Sequence, residues 1–130
     1  MLKEIVYVTV FVSDQDRALD FYTTVLGLEK RMENPSPDGP RFLTVGVKGQ
    51  DVALMLWPGT PGTGQAVQGM PPAQYTIETD DCRRSFETLS ARGVEFEPAH
   101  VIERPWGLVA RFRDRDGNVL QLREARPLTA

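Results

Sequence analysis

The chain is poor in the side chains that ligate transition metals and form covalent intermediates. Its 130 residues include one cysteine, Cys82, and one histidine, His100. A lone cysteine excludes an internal disulfide and fits a reducing compartment. A lone histidine, on a predicted loop after Pro98, excludes a facial site of two histidines and a carboxylate. No stretch approaches the roughly 20 apolar residues of a membrane span. The opening MLKEIVYV has no separate hydrophobic segment followed by a cleavage site, so a cytoplasmic protein without a membrane partner is expected. Charge of one sign is also missing. The formal net charge is −3 with acids and bases mixed, which argues against a nucleic-acid partner. The glycine-rich GTPGTG stretch lacks the lysine and the strand–helix context of a phosphate loop.

What remains is a composition suited to ordinary globular folding, 41% hydrophobic and 25% charged. The length suits one domain over residues 1–130 or two half-units sharing a core. Two separately stable domains of about 65 residues would each be marginal.

One pattern of punctuation occurs twice. Residues 4–12, EIVYVTVFV, are β-branched and aromatic, and read as a strand. Tyr7 on one face brings Ile5, Thr9 and Phe11 with it, while Val6, Val8, Val10 and Val12 are expected to pack a helix. Ser13 and Asp16 resemble a capping box, Ala18, Phe21, Tyr22, Val25 and Leu26 follow at helical spacing, and Gly27 stops the helix. EKRME reads as a strand, NPSPDGP (residues 34–40) as a loop because of its three prolines, and RFLTVGV and DVALMLW as strands joined by KGQ. The second unit repeats the order. AQYTIET is a strand, and Asp80 or Asp81 caps a helix bearing Cys82, Phe86 and Leu89 on its inner face. Gly93 stops it, and VEFEPA, LVARFR and VLQLRE follow as strands, with a bend at RPWG and a turn at DRDGN. Tyr7 and Gln74 stand 67 residues apart, as do Asp14 and Asp81. The expected fold is therefore α+β, with two tandem βαβββ units, residues 4–57 and 73–124, forming a curved mixed sheet around a groove. Residues 58–72, with four prolines and four glycines, are the linker and a candidate rim. Duplication has a physical reason, since one sheet with one helix leaves a face open.

The stretch YVTVFVSDQDRALDFYTTVLGLEKR, with Asp14, Ala18, Phe21, Tyr22, Leu26 and Gly27, resembles the opening motif of the vicinal oxygen chelate superfamily, the glyoxalase / bleomycin-resistance / extradiol dioxygenase group. FRDRDGNVLQL, residues 112–122, resembles its closing motif. Metal-bearing members place ligands on the first and last strands of each unit. The resemblance carries those places onto Tyr7, Ala53, Gln74 and Gln121. Alanine offers no donor, amide oxygens are weak donors, and a phenol must first lose a proton with pKa near 10. No metal and no other cofactor is expected.

The lining expected around Tyr7, Thr9, Met55, Trp57, Gln74, Thr76 and Gln121 is mostly apolar with a few polar handles, as in small-molecule pockets. Tyr7 either donates to a ligand, or acts as an acid, or fills volume. Trp57 either stacks on a planar ligand or covers the sheet end. Gln74 and Gln121 hydrogen-bond each other, a ligand or water. Trp106 lies in RPWGLVARF, a segment that lines the pocket in proteins of this kind. Arg111 is either an anion receptor or half of a surface ion pair. Glu78 is the best candidate base, or a partner of Arg111 or Arg123. If there is catalysis, Tyr7, Glu78 and Arg111 are its candidates. Cys82 reads as a small buried hydrophobe.

The function these features favour is metal-independent binding of a small, partly apolar organic molecule between the units, by a homodimer like the drug-sequestering members. The alternative is a glyoxalase- or dioxygenase-like lyase or oxidoreductase with an atypical site. A structural or regulatory role is a third class that no feature selects.

Overall fold

The structure, a computed structural model, describes residues 1–36, 39–59 and 73–126. The chain divides into two compact units, Met1–Pro71 and Pro72–Ala130. Each is a four-stranded mixed sheet with a helix, the tandem βαβββ arrangement read from the sequence. The rim assigned to the linker falls largely on residues 60–72, outside the described residues.

Unit 1 holds β1 (Tyr7–Val12), α1 (Gln15–Asp20), a π-helical turn (Phe21–Val25), β2 (Glu29–Ser36), β3 (Gly39–Gly46) and β4 (Ala53–Pro58), with sheet order β1-β4-β3-β2. β1 runs parallel to β4, and the other pairs are antiparallel. Asp14, not Ser13, is the N-cap of α1, its carboxylate accepting the Arg17 N–H at 3.1 Å. The helical spacing continues past Asp20 in a wider turn, where the Leu26 N–H reaches Phe21 O at 3.0 Å. Gln15 fastens α1 to the sheet. Its Nε2 donates to the carbonyls of Arg41 and Leu56, and its Oε1 accepts the Arg41 N–H.

Residues 34–40 are not simply a loop. β2 runs through Ser36 and β3 starts at Gly39, so both strands reach into the proline-rich stretch. Proline is tolerated because β2 is an edge strand and the register slips between Asn34 and Ser36. Of the four valines expected against the helix, Val10 and Val12 are buried, whereas Val6 and Val8 remain 46% and 44% exposed. The buried pair joins Tyr22, Leu43, Val45 and Leu56 in a core where each fully buried side chain contributes roughly 1.5–3 kcal/mol.

Unit 2 holds β5 (Gln74–Glu78), α2 (Cys82–Ala91), β6 (Ile102–Arg104), β7 (Gly107–Arg113) and β8 (Val119–Ala125), in the order β5-β8-β7-β6. Asp81 caps α2 by accepting the Arg84 N–H at 3.0 Å, as Asp14 does for α1. VEFEPA is not a strand, since only Phe96 bridges to Phe112, and the second strand of the unit is Ile102–Arg104 instead. The alternation in VEFEPA serves a different end. Phe96 packs between Phe86 and Phe112, ring centroids 4.5 and 5.2 Å away, and closes the core over the sheet.

Candidate functional site

The DRDGN turn sets the geometry of unit 2. Asp114 and Asn118 are 7% and 3% exposed, at positions where polar groups need partners. Asp114 Oδ1 accepts the N–H groups of Asp116 and Asn118, and Asn118 Nδ2 donates to Asp114 Oδ2, all at 2.9 Å. Gly117 supplies the positive φ of 84° that the turn requires. Asn118 Oδ1 then accepts the Ala73 N–H at 2.8 Å, and the Val119 N–H donates to Ala73 O at 2.8 Å. The start of β5 is thereby fixed beside β8, in the register Gln74–Val119, Thr76–Gln121 and Glu78–Arg123. β7 adds Arg113 to the first row, Arg111 to the second and Val109 to the third.

The middle row is a hydrogen-bonded line across three strands. Arg111 Nε donates to Gln121 Oε1 at 2.9 Å, and Gln121 Nε2 reaches Thr76 Oγ1 at 3.4 Å. This row and Gln74 border a concavity of about 640 Å³, which Arg113, Glu97, Val119, Tyr75 and Phe112 complete. Six of these nine residues are polar or charged, so the lining is more polar than expected. The difference comes from β7, whose alternation adds Arg111 and Arg113 to the face that β5 and β8 provide.

Glu78 lies outside this lining. Its carboxylate accepts the Ala125 N–H at 2.9 Å and Arg123 Nε at 2.8 Å, so its partner is Arg123 and not Arg111. The Ala125 N–H and then the Arg123 guanidinium hold the acid below the ordinary glutamate range. A carboxylate so held is a poor proton acceptor. Burial pushes the Cys82 thiol up, and the charge of Glu124 adds to the effect. The neighbouring Cys82 N–H is held by Glu124 Oε1 at 2.9 Å.

Trp106 does not border the cavity. It sits 40% exposed in the turn between β6 and β7. The remaining expected residues belong to unit 1. There Tyr7 pairs with Ala53, Thr9 with Met55 and Phe11 with Trp57. The phenol of Tyr7 lies 3.9 Å from Met32 Sδ, and its ring meets Phe42 edge-on at 5.4 Å. This face is aromatic and thioether-rich where the matching face of unit 2 is charged. Register also shows that the counterpart of Gln121 in unit 1 is Met55, since both pair with a threonine of the first strand, Thr76 and Thr9.

The chain matches the family profile described as Glyoxalase/Bleomycin resistance protein/Dioxygenase superfamily over residues 4–122. It belongs to that superfamily. It is 32% identical over 126 residues to the uncharacterised protein YetH of Bacillus subtilis (strain 168), covering 95% of this chain and 100% of YetH. The crystal structure of TnmS3, an antibiotic binding protein from Streptomyces sp. CB03234, superposes with a TM-score of 0.77 at 32% identity, covering 96% of this chain and 98% of TnmS3. A superfamily member from Sphaerobacter thermophilus DSM 20745 gives 0.81 at 31% identity, covering 95% and 98%.

A metal of the kind the superfamily can carry fits these residues poorly. The oxygen that Gln121 would offer already accepts a hydrogen bond from Arg111, whose fixed positive charge repels a dication. Gln74 has only an amide, Ala53 no donor, and Met55 a thioether suited to softer ions. Among the described residues no group of three or more His, Cys, Asp or Glu could hold a metal ion, and no helix is long and apolar enough to cross a membrane.

Proposed function

We propose that this protein binds a small, partly apolar organic molecule without a metal ion, as a drug-sequestering member of its superfamily. The observation that carries this reading is the donor set of the unit 2 cavity. Gln74, Thr76, Arg111 and Gln121 offer amide, hydroxyl and guanidinium groups, the last three oriented by hydrogen bonds to one another. Among the described residues of the lining, Glu97 is the one carboxylate, with no imidazole or thiol beside it, and the Tyr75 phenol is the one other acidic group. Acid–base chemistry is served best by a group such as an imidazole whose pKa lies near the operating pH, whereas binding needs only placed polar groups. The likeness to TnmS3, an antibiotic binding protein, supports the same reading.

A cytoplasmic homodimer is part of the proposal. Ile5, Val6, Tyr7 and Val8 are all exposed on or beside β1, an edge strand. Apolar surface beside an unpaired edge is what a second copy covers.

The test is calorimetric titration of untagged protein with a panel of aromatic antibiotics, before and after treatment with a chelator, alongside metal analysis. Binding that survives the chelator in a protein carrying under a tenth of an equivalent of metal, a threshold of roughly one site in ten, is expected. One equivalent of iron, nickel or zinc, with glyoxalase- or dioxygenase-type turnover that depends on it, overturns the proposal.

A further inference from the structure

Of the arginines on the strand face of unit 2, Arg111, Arg113 and Arg123 lie on its central strands, and they are not equivalent. Arg123 is neutralised by Glu78 at 2.8 Å. Arg111 and Arg113 form no ion pair among the described residues. Both border the cavity, against one acid, Glu97, so among the described residues its lining carries one surplus positive charge.

Arg111 is also oriented. Its Nε donates to Gln121 Oε1 at 2.9 Å, and Gln121 is held in turn towards Thr76. That bond uses one of five guanidinium donors, and the Nη1 and Nη2 groups have no protein acceptor among the described residues. Arg113 differs, because its Nη1 donates to Gly117 O at 3.2 Å. A planar fork fixed at Nε, with its outer edge free beside a cavity, matches two coplanar anionic oxygens. One surplus charge suits a monoanion.

We infer that the unit 2 cavity takes the carboxylate of a monoanionic, partly apolar organic ligand on the Nη1–Nη2 edge of Arg111, with Gln121 as the positioning residue. The inference rests on the binder reading above and names the ligand class. Thr76 Oγ1, beside Gln121 Nε2, keeps a hydroxyl proton that can serve a further acceptor on the same ligand.

The probes are 2-naphthoate, its neutral isostere 2-naphthamide, and 2-naphthyl phosphate, titrated by calorimetry at low and at moderate salt. Naphthoate is expected to bind at least about tenfold more tightly than the amide, as a charge-assisted pair requires, and to weaken with salt. Arg111→Gln abolishes that preference and Arg111→Lys keeps part of it. Arg123→Gln, on the same face but already neutralised, leaves it unchanged. Gln121→Ala weakens naphthoate binding while the amide is little affected. Equal affinity for acid and amide overturns the inference and leaves the binder reading intact. Tighter binding of the phosphate, or binding of none of the three, overturns the inference too. The antibiotic panel decides the binder reading separately.

Discussion

Asn118 Oδ1 accepts the main-chain N–H of Ala73 at 2.8 Å, from a residue 45 positions earlier in the chain. One buried amide side chain thus sets where β5 begins, and with it which residues of β5 face Gln121. The closing motif is therefore more than a turn. It aligns the two strands that carry the cavity.

Asn118→Ala leaves the Ala73 N–H and Asp114 Oδ2 without these partners. A loss of about 1–3 kcal/mol in unfolding free energy is expected, as for other buried groups deprived of a hydrogen bond. Chemical denaturation measures it. Calorimetry on the folded fraction should also show weakened probe binding, because the Thr76–Gln121 register loosens.

Arg31 plays a comparable part in unit 1. Its guanidinium donates to the carbonyls of Val47, Asp51 and Val52, across the turn that joins β3 and β4, and it lies against Gly46. Arg31→Met keeps the stem and removes these donors. It should cost about 0.5–1.5 kcal/mol, since two of these bonds are exposed and water can replace the donor. Gly46→Ala should act in the same direction, since a Cβ there would come 2.5 Å from Arg31 Cζ. Thermal melts of both variants check the pair.

The two helix caps are predicted to be separable. Asp14→Ala and Asp81→Ala should each cost about 0.5–2 kcal/mol. The caps lie in different units, so the double variant should lose close to the sum. A loss well short of additive in chemical denaturation would show that one substitution already unfolds the structure the other cap supports.

Glu78 should titrate below the ordinary glutamate range. A depressed folded pKa stabilises above the unfolded value, and that contribution disappears as pH falls through the lowered folded value. The pair is half exposed, so the effect on stability is small. Arg123→Gln should leave much of the lowering in place, because the Ala125 N–H is its larger cause. Carboxyl carbon chemical shifts followed against pH read both.

Cys82 is fully buried and its thiol is pushed up, so a thiol reagent should label it slowly in the native protein at neutral pH and rapidly in denaturant. Fast native labelling would contradict the packing of α2.

The sequence determined the elements whose signals are local. The helix stops at Gly27 and Gly93, the aspartate cap of the second helix and the doubled order of strands follow from residues within a few positions of one another, whereas the first cap fell on Asp14 where the local pattern points to Ser13. It also determined that no second imidazole or thiol could join any site, because the chain has one histidine and one cysteine. Tertiary structure decided what depends on pairing. Proline-rich residues entered strands because β2 lies at an edge, and VEFEPA lost its ladder because its phenylalanine was needed in the core. Alternation could place Glu78, Arg111 and Arg123 on one face, yet it could not say which arginine the acid would neutralise. Strand register decided that, setting Arg123 opposite Glu78 and Arg111 opposite Gln121, and so left Arg111 without an ion pair among the described residues beside the cavity.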